Sequence, residues 1–218
     1  MPSHKTHLSI ANEVNKNLNL DNDLIMLGSV LPDLTINHTH RLSHCRSDEN
    51  GIKGLANPKI FLARYKERIN DPIIVGYLIH LLTDEFFNRY IYERYYLYDS
   101  NNNTIGLKIN KVPKYMDKDT IKSMKHDDFK LYDKYLLYSL KVSKFKNKEC
   151  YREVKDLDIA KFDKKNLQKY IKNTNKQVNI FNKINPLKIH KFKILNIDEL
   201  NKQYIECCDY VIKFINNI

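Results

Sequence analysis

The chain has 218 residues, of which 42% are hydrophobic and 29% are charged, and its formal net charge is +11. These values are ordinary for a soluble globular protein of one domain, or of one domain with an added helical unit. The longest apolar run, residues 73–82, is too short to span a bilayer. The four cysteines form no CxxC pair, which argues against a disulfide framework.

The positive charge is compatible with two interpretations. It fits an anionic partner such as nucleic acid or a phospholipid surface, and it equally fits a solvated surface rich in lysine. Lysine far outnumbers arginine, and no compact cluster of arginine and aromatic residues gives a specific nucleic-acid signal. The first residues lack the apolar core of a signal peptide, so we expect a cytoplasmic protein.

Only 5 glycines and 6 prolines occur, which favours long helices with few tight turns. Ser3 is placed to cap a first helix, and a short apolar segment follows after Asp21. Pro32 stops that segment, because a proline pushes the preceding residue out of helical geometry. Asp33 therefore lies at the break of a buried segment, where its carboxylate can point into a site. Residues 34–57 read as a long polar loop that carries His38, His40 and His44.

The next pattern predicts a buried central helix over about residues 71–99. Asp71 suits the cap and Pro72 the first helical position. The residues that follow are apolar on almost every side, which is typical of a helix in the core. His80 and Asp84 lie four residues apart and so on one face of this helix. A buried imidazole beside a buried carboxylate needs a partner, either each other or a metal ion.

The second half carries further helical patterns. Asp117 and then Asp127 or Asp128 are placed to cap two helices, Asp163 one over 163–184, and Asp198 the last. Residues 104–109 fit a small strand pair or a loop. The fold class is therefore predicted as all-α, a multi-helical bundle in one domain, 1–218, with a metal-site half, 1–99, and a helical half, 100–218.

Histidines are concentrated in the first 80 residues, which hold six of the eight: His4, His7, His38, His40, His44 and His80. Together with Asp33 and Asp84 they offer the ligand types of zinc or a similar divalent ion. Each residue taken alone has a simpler interpretation, such as a solvated loop histidine, a turn aspartate or a buried hydrogen-bonded pair. Jointly they favour a metal site.

Four stretches, in this order, resemble the zinc-dependent phospholipase C family, which belongs with the S1/P1 type nucleases: Thr6-His7-Leu-Ser-Ile-Ala11, Leu27-Gly28-Ser-Val-Leu-Pro32-Asp33, Arg41-Leu-Ser-His44 and Gly76-Tyr-Leu-Ile-His80-Leu-Leu-Thr-Asp84. The resemblance covers roughly residues 1–90. It implies an all-helical hydrolase whose clustered zinc ions activate water for attack on a phosphodiester, with a phospholipid as one candidate substrate.

The resemblance also implies the roles of individual residues. His7, Asp33, His44 and His80 match metal ligands, and Asp84 matches the carboxylate that bridges two metals. Asp33 is in addition the family's candidate for orienting or deprotonating the attacking water. Two ions so held can share a hydroxide and clamp a phosphate oxygen.

Two departures from the family pattern affect the expected number of metal ions and their ligands. Secreted members use the amino terminus of the processed chain as a ligand, and His4 is the residue that could occupy that space here. Tyr90 stands where a histidine of the third metal site is expected, so the resemblance implies two ions, zinc or another divalent metal. Arg41, His40 and His4 are second choices for contacting phosphate or metal.

Two other functions stay open. An HD-type phosphohydrolase would use the dipeptide His126-Asp127, with His80 and a carboxylate such as Asp198. A non-catalytic helical interaction protein would use the metal, or the His80–Asp84 pair, only to fix its fold.

Overall fold

The computed structural model describes residues 2–36, 40–49, 52–139, 141–181 and 192–218. Helices dominate, and within the described residues they are α1 (His4–Leu18), α2 (Asn22–Gly28), α3 (His40–Ser43), α4 (Pro58–Tyr65), α5 (Pro72–Tyr95), α6 (Lys118–Tyr138), α7 (Lys164–Phe181) and α8 (Ile197–Asn216). Short 3₁₀ turns cover Leu31–Asp33, Lys66–Arg68 and Cys150–Glu153.

Small antiparallel sheets accompany the helices. Their strands are β1 (Thr35–Ile36), β2 (Ser47–Glu49), β3 (Ile52–Leu55), β4 (Tyr96–Tyr98), β5 (Thr104–Ile109), β6 (Val112–Tyr115) and β7 (Lys161–Phe162), paired as β1-β7, β2-β3 and β4-β5-β6. The prediction of a mainly helical fold is confirmed, and with these small sheets the fold is not plainly all-α. Aromatic and β-branched residues after the central helix favour extended pairing over another helical turn.

The central helix is α5, whose residues 73–84 are all buried. Its predicted start is confirmed, since the Asp71 side chain accepts a hydrogen bond from the Ile73 N–H and Pro72 takes the first turn. Its predicted end at 99 is wrong, because the helix ends at Tyr95 and the chain continues as β4. No helix among the described residues is both long enough and apolar enough to cross a bilayer.

Two glycines fix how α2 crosses α5. A Cβ atom on Gly28 would collide with the backbone of Ile73 and Gly76, and one on Gly76 would collide with the backbone of Ile25 and Gly28. The helices therefore approach backbone to backbone, as small residues at a crossing permit. This close crossing carries the end of α2 to the middle of α5, which is where the histidine and aspartate of interest lie.

The second half of the chain packs against the first through α1. The Asp133 carboxylate of α6 accepts hydrogen bonds from the backbone N–H groups of Lys5 and Thr6, and the hydroxyls of Ser9 and Tyr204 lie 2.9 Å apart. The first helix thus packs against α2 and α5 of the first half and against α6 and α8 of the second.

Several predicted boundaries differ from the structure. The segment 34–57 is not one loop, because it contains α3 and the β2-β3 pair. The two helices predicted around Asp117 and Asp128 form a single helix, α6, since Asp117 caps it and Asp128 lies inside it. The last helix is capped by Asn196 rather than by Asp198, which occupies its first turn. Residues 182–184 of the predicted helix lie outside the described residues.

Candidate metal centre

Five side chains from four elements meet beneath the crossing of α2 and α5. His7 comes from α1, Asp33 from the 3₁₀ turn after α2, His44 from the residue after α3, and His80 and Asp84 from α5. Two groups of three could each hold a metal ion, His7-Asp33-His80 and His44-His80-Asp84, with ligand atoms within 4.8 Å of one another. The structure therefore brings together all five residues predicted as metal ligands.

His80 is held in one orientation by the backbone. Its Nδ1 atom lies 2.8 Å from the Ser29 carbonyl oxygen, which can only accept a hydrogen bond. Nδ1 therefore carries the proton, and Nε2 presents its lone pair to the centre. Burial lowers the pKa of His80 to about 3, so its imidazole is neutral at neutral pH and able to coordinate a metal.

His44 lies at the middle of the cluster. Its Nε2 atom is 3.2 Å from His80 Nε2, 3.3 Å from Asp33 Oδ1 and 3.7 Å from Asp84 Oδ2. Its Nδ1 atom is 3.0 Å from the Ser43 hydroxyl oxygen, which fixes the ring. Ligand atoms so close together repel one another unless a cation or protons lie between them.

His7 and Asp84 are fully buried, and their polar atoms are unsatisfied. Both nitrogens of His7 and both oxygens of Asp84 lack hydrogen bonds in the described part of the chain. His7 Nε2 lies 3.5 Å from Asp84 Oδ1, and the His7 ring stacks on His80 with centroids 3.9 Å apart. Burial alone would raise the pKa of Asp84, but the imidazoles of His7, His80 and His44 hold that pKa below its ordinary value.

Buried polar atoms normally have hydrogen-bond or metal partners, so these four unsatisfied atoms indicate that a binding partner is missing. Imidazole nitrogens and carboxylate oxygens are the donor set of zinc and of similar divalent ions. His7 belongs to one of the candidate groups and Asp84 to another, so ions at the two positions would give each of them a partner. The residues present therefore fit a metal.

The cluster reaches solvent at Asp33, whose side chain is 13% exposed. His4 lies at this edge, with Nε2 3.5 Å from Asp33 Oδ2. His40 and Arg41 are exposed on α3, and His40 forms a third candidate group with Asp33 and His44. The three second-choice residues thus lie in the open part of the site or on the helix that borders it, whereas His38 is outside the described residues.

Three contributors to the site were not predicted. Ser29 orients His80 through a backbone carbonyl, which leaves no mark on the sequence. Lys125 of α6 is buried and interacts electrostatically with Asp84, and burial lowers its pKa. Tyr170 of α7 packs edge-on against the His4 ring, with centroids 5.3 Å apart. The second half of the chain therefore forms part of the wall of the site.

The residues of the HD-type alternative are arranged differently. His126 is exposed on α6, and Asp127 beside it forms a 2.7 Å ion pair with Lys193. Neither residue belongs to a group that could hold a metal in the described ranges. His80 instead lies with His7, Asp33, His44 and Asp84 in the cluster described above.

Comparison with known proteins finds no family model, no curated protein and no solved structure that matches this chain. The resemblance to the zinc-dependent phospholipase C family therefore stays a prediction.

Proposed function

We propose that this protein is a metal-dependent phosphoester hydrolase of the zinc-dependent phospholipase C type. Two divalent ions, zinc by first choice, would be held by His7, Asp33, His44, His80 and Asp84. One observation carries the proposal: these five side chains, spread over 78 residues of sequence, converge with the buried atoms of His7 and Asp84 left unsatisfied. Such an arrangement is costly to a folded protein unless a ligand completes it.

The geometry of Asp84 suits a bridging role. Its Oδ1 atom faces His7 at 3.5 Å, while its Oδ2 atom faces His44 and His80 at 3.7 and 3.8 Å. One carboxylate oxygen is thus directed to each of two neighbouring positions. Both oxygens are available, since neither accepts a hydrogen bond from the described residues.

A divalent ion in such a centre supplies Lewis acidity, lowering the pKa of water towards 7 and neutralising charge on a phosphoester. Asp33 is the carboxylate of the cluster that reaches solvent, so it is the residue placed to orient an attacking water and to accept its proton. The fixed proton on His80 Nδ1 keeps that ring from turning during the reaction.

The charges around the centre favour an anionic substrate. Arg41 is exposed beside the opening on α3, and Lys125 interacts with Asp84 from α6. Cations around a site that also binds metal suit a phosphodiester, whose charge is spread over non-bridging oxygens. A phospholipid is one such substrate.

A second candidate, a non-catalytic metal site that fixes the fold, is favoured by the complete burial of His7, His44, His80 and Asp84. Closed structural zinc sites are usually rich in cysteine and have no open position. The exposed edge of Asp33 and the absence of cysteine from the candidate groups favour catalysis instead.

The test is the metal content of purified protein, measured by elemental mass spectrometry. We expect about two equivalents of zinc or a similar ion in the wild type, as a two-metal site requires. His80→Ala removes Nε2, the one nitrogen by which His80 could bind an ion of either group, and should lose at least one of the two equivalents. His126→Ala is the matched control, because its exposed imidazole lies outside the site. A wild type that holds no metal and takes up none on titration would refute the proposal, and loss of metal in His126→Ala would favour the HD-type function.

Hydrolysis of a soluble phosphodiester then separates the two candidates. Asp33→Asn should reduce turnover of bis(4-nitrophenyl) phosphate by about a hundredfold or more, as expected for loss of a general base. Protein that carries its metal but hydrolyses neither this compound nor a phospholipid would support the structural role.

A further inference from the structure

A hairpin formed by β5 and β6 projects from the helical body. Its tip is Asn110-Lys111, both with positive φ, 52° and 66°, as in the tight turns that join antiparallel strands. Leu107 of β5 is fully buried and fixes the base of the hairpin to the core. All four residues of β6 are exposed, so the outer strand is surrounded by solvent.

This outer strand exposes apolar groups. Val112 is 56% exposed and Tyr115 is 74% exposed, the highest exposure of any large hydrophobic residue in the described part of the chain. Single exposed apolar side chains are common on proteins and need no explanation. Here two of them lie on the same edge strand, and because side chains of a strand alternate between its faces, Val112 and Tyr115 flank this edge on opposite faces of the sheet.

The same hairpin is uniformly basic. Residues 104–116 contain three lysines and no acidic residue, and Lys108, Lys111 and Lys114 are all exposed. Helix α7 is also rich in exposed lysine, but its apolar stripe faces the core through Leu167, Ile171 and Val178. The hairpin therefore combines accessible apolar groups with positive charge, the combination by which surface segments bind anionic bilayers.

Strand pairing with a second copy is disfavoured by the sequence of β6. Proline cannot donate a ladder hydrogen bond, and lysine on an edge strand opposes edge-to-edge association. Pro113 and Lys114 occupy the middle of this four-residue strand. The exposed edge is thus protected against a protein strand and remains suited to a charged lipid surface.

We propose that the β5–β6 hairpin docks the protein on an anionic phospholipid surface, with its lysines at the headgroups and Val112 and Tyr115 in the interfacial layer. The base of the hairpin adjoins β4, whose Tyr96 ring lies 6.0 Å from the Lys125 ammonium of α6. Binding to a lipid surface does not require that the protein be a hydrolase.

The test is sedimentation of the full chain with vesicles of phosphatidylglycerol and phosphatidylcholine in equal parts, against vesicles of phosphatidylcholine alone. The wild type should bind the anionic vesicles and bind the neutral ones much more weakly. Lys108→Gln with Lys114→Gln should weaken binding to the anionic vesicles by about 30-fold, since each lysine near such a surface contributes about fivefold. Lys165→Gln with Lys169→Gln, on the exposed face of α7, removes the same charge and should change binding by less than about threefold.

A second pair of variants tests the apolar contacts. Val112→Ser with Tyr115→Ser should abolish the binding that persists at high salt, where lysine contributions are screened. Ile205→Ser, at a residue 58% exposed on α8, is its control and should leave binding unchanged. Circular dichroism of each variant establishes that it is folded.

Three results would overturn this inference. The hairpin and α7 variants could weaken binding equally, which would assign the effect to general surface charge. The wild type could bind a single-stranded RNA oligonucleotide and no vesicles, or it could form dimers that the hairpin variants abolish. Hydrolysis of the soluble phosphodiester should be the same in the hairpin variants and in the wild type, so a failure here is distinguishable from a failure of the proposed function.

Discussion

Gly76→Ala should damage the metal centre without touching any ligand. The added Cβ atom would lie 2.9 Å from both the Gly28 Cα atom and the Ser29 N atom, with further backbone of α2 closer still. Ordinary carbon contacts lie near 3.5–4.0 Å, and no side chain can turn away to relieve the overlap. Helix α2 must therefore move by roughly 1 Å. A shift of this size takes the Ser29 carbonyl, now 2.8 Å from His80 Nδ1, beyond hydrogen-bond distance.

The expected cost follows from these contacts. Overpacking of a core crossing costs up to about 3 kcal/mol, and alanine returns about 1 kcal/mol of helix propensity. A net loss of about 2 kcal/mol should lower the melting temperature of a chain of this length by about 4–8 °C. Because the group that orients a ligand is lost, metal affinity should also fall by about tenfold or more.

Thermal unfolding and metal titration measure these two effects separately. Gly54→Ala is the matched control, since a Cβ there meets nothing within 4 Å and only its φ of +72° opposes alanine. It should cost about 1 kcal/mol in stability and leave metal affinity unchanged. Wild-type stability and affinity in Gly76→Ala would show that the close crossing does not position His80.

Further predictions address single residues. Asp84→Asn should lose most of the bound metal and all phosphodiester hydrolysis while its far-UV circular dichroism is unchanged; full metal content with activity would exclude Asp84 as the bridge. Asp128→Ala should lower the free energy of unfolding in urea by about 3 kcal/mol, because its buried carboxylate accepts the backbone N–H groups of residues 193–195. The neighbouring Asp127, whose side chain is partly exposed, provides the control, and Asp127→Ala should cost less than about 1 kcal/mol. Burial lowers the pKa of Lys5 to about 8 from 10.5. Above pH 8 the unfolded chain therefore binds more protons than the folded chain, so the free energy of unfolding should rise by about 1 kcal/mol between pH 7 and 9. Lys5→Met should remove this rise in a denaturant series, and a rise of equal size in the variant would contradict the assignment.

Local sequence signals predicted the start of the central helix. The cap at Asp71 acts on the backbone N–H group of Ile73, two residues away, so the sequence alone predicts it. The spacing of His80 and Asp84 on one helix is equally local. The convergence of His7, Asp33 and His44 on that helix is not local; the concentration of histidines near Asp33 and Asp84 favoured a metal site, and the resemblance to a family singled out these three.

Contacts between residues far apart in the sequence explain the wrongly predicted helix boundaries. Asp128 has the residue type of a helix cap, yet its carboxylate bonds to residues 193–195, and so α6 continues through it. The strand β4 depends on pairing with β5 across a turn, which outweighs the tendency of the central helix to continue to 99. Ser29 acts through its carbonyl and Lys125 through the position of α6, so neither has a sequence signature.

The packing of α1 against helices from both halves of the chain has a consequence for the exchange of a metal. All five ligands are synthesised within the first 84 residues, whereas α6 and α8, which pack against the helix that carries His7, come later in the chain. An ion can therefore enter before the carboxyl-terminal helices dock. Afterwards the exposed edge at Asp33 is a route for exchange, and separation of those helices from α1 by local unfolding would provide a second. A metal loaded during folding would be retained for a time set by access through these routes as well as by the strength of its coordination.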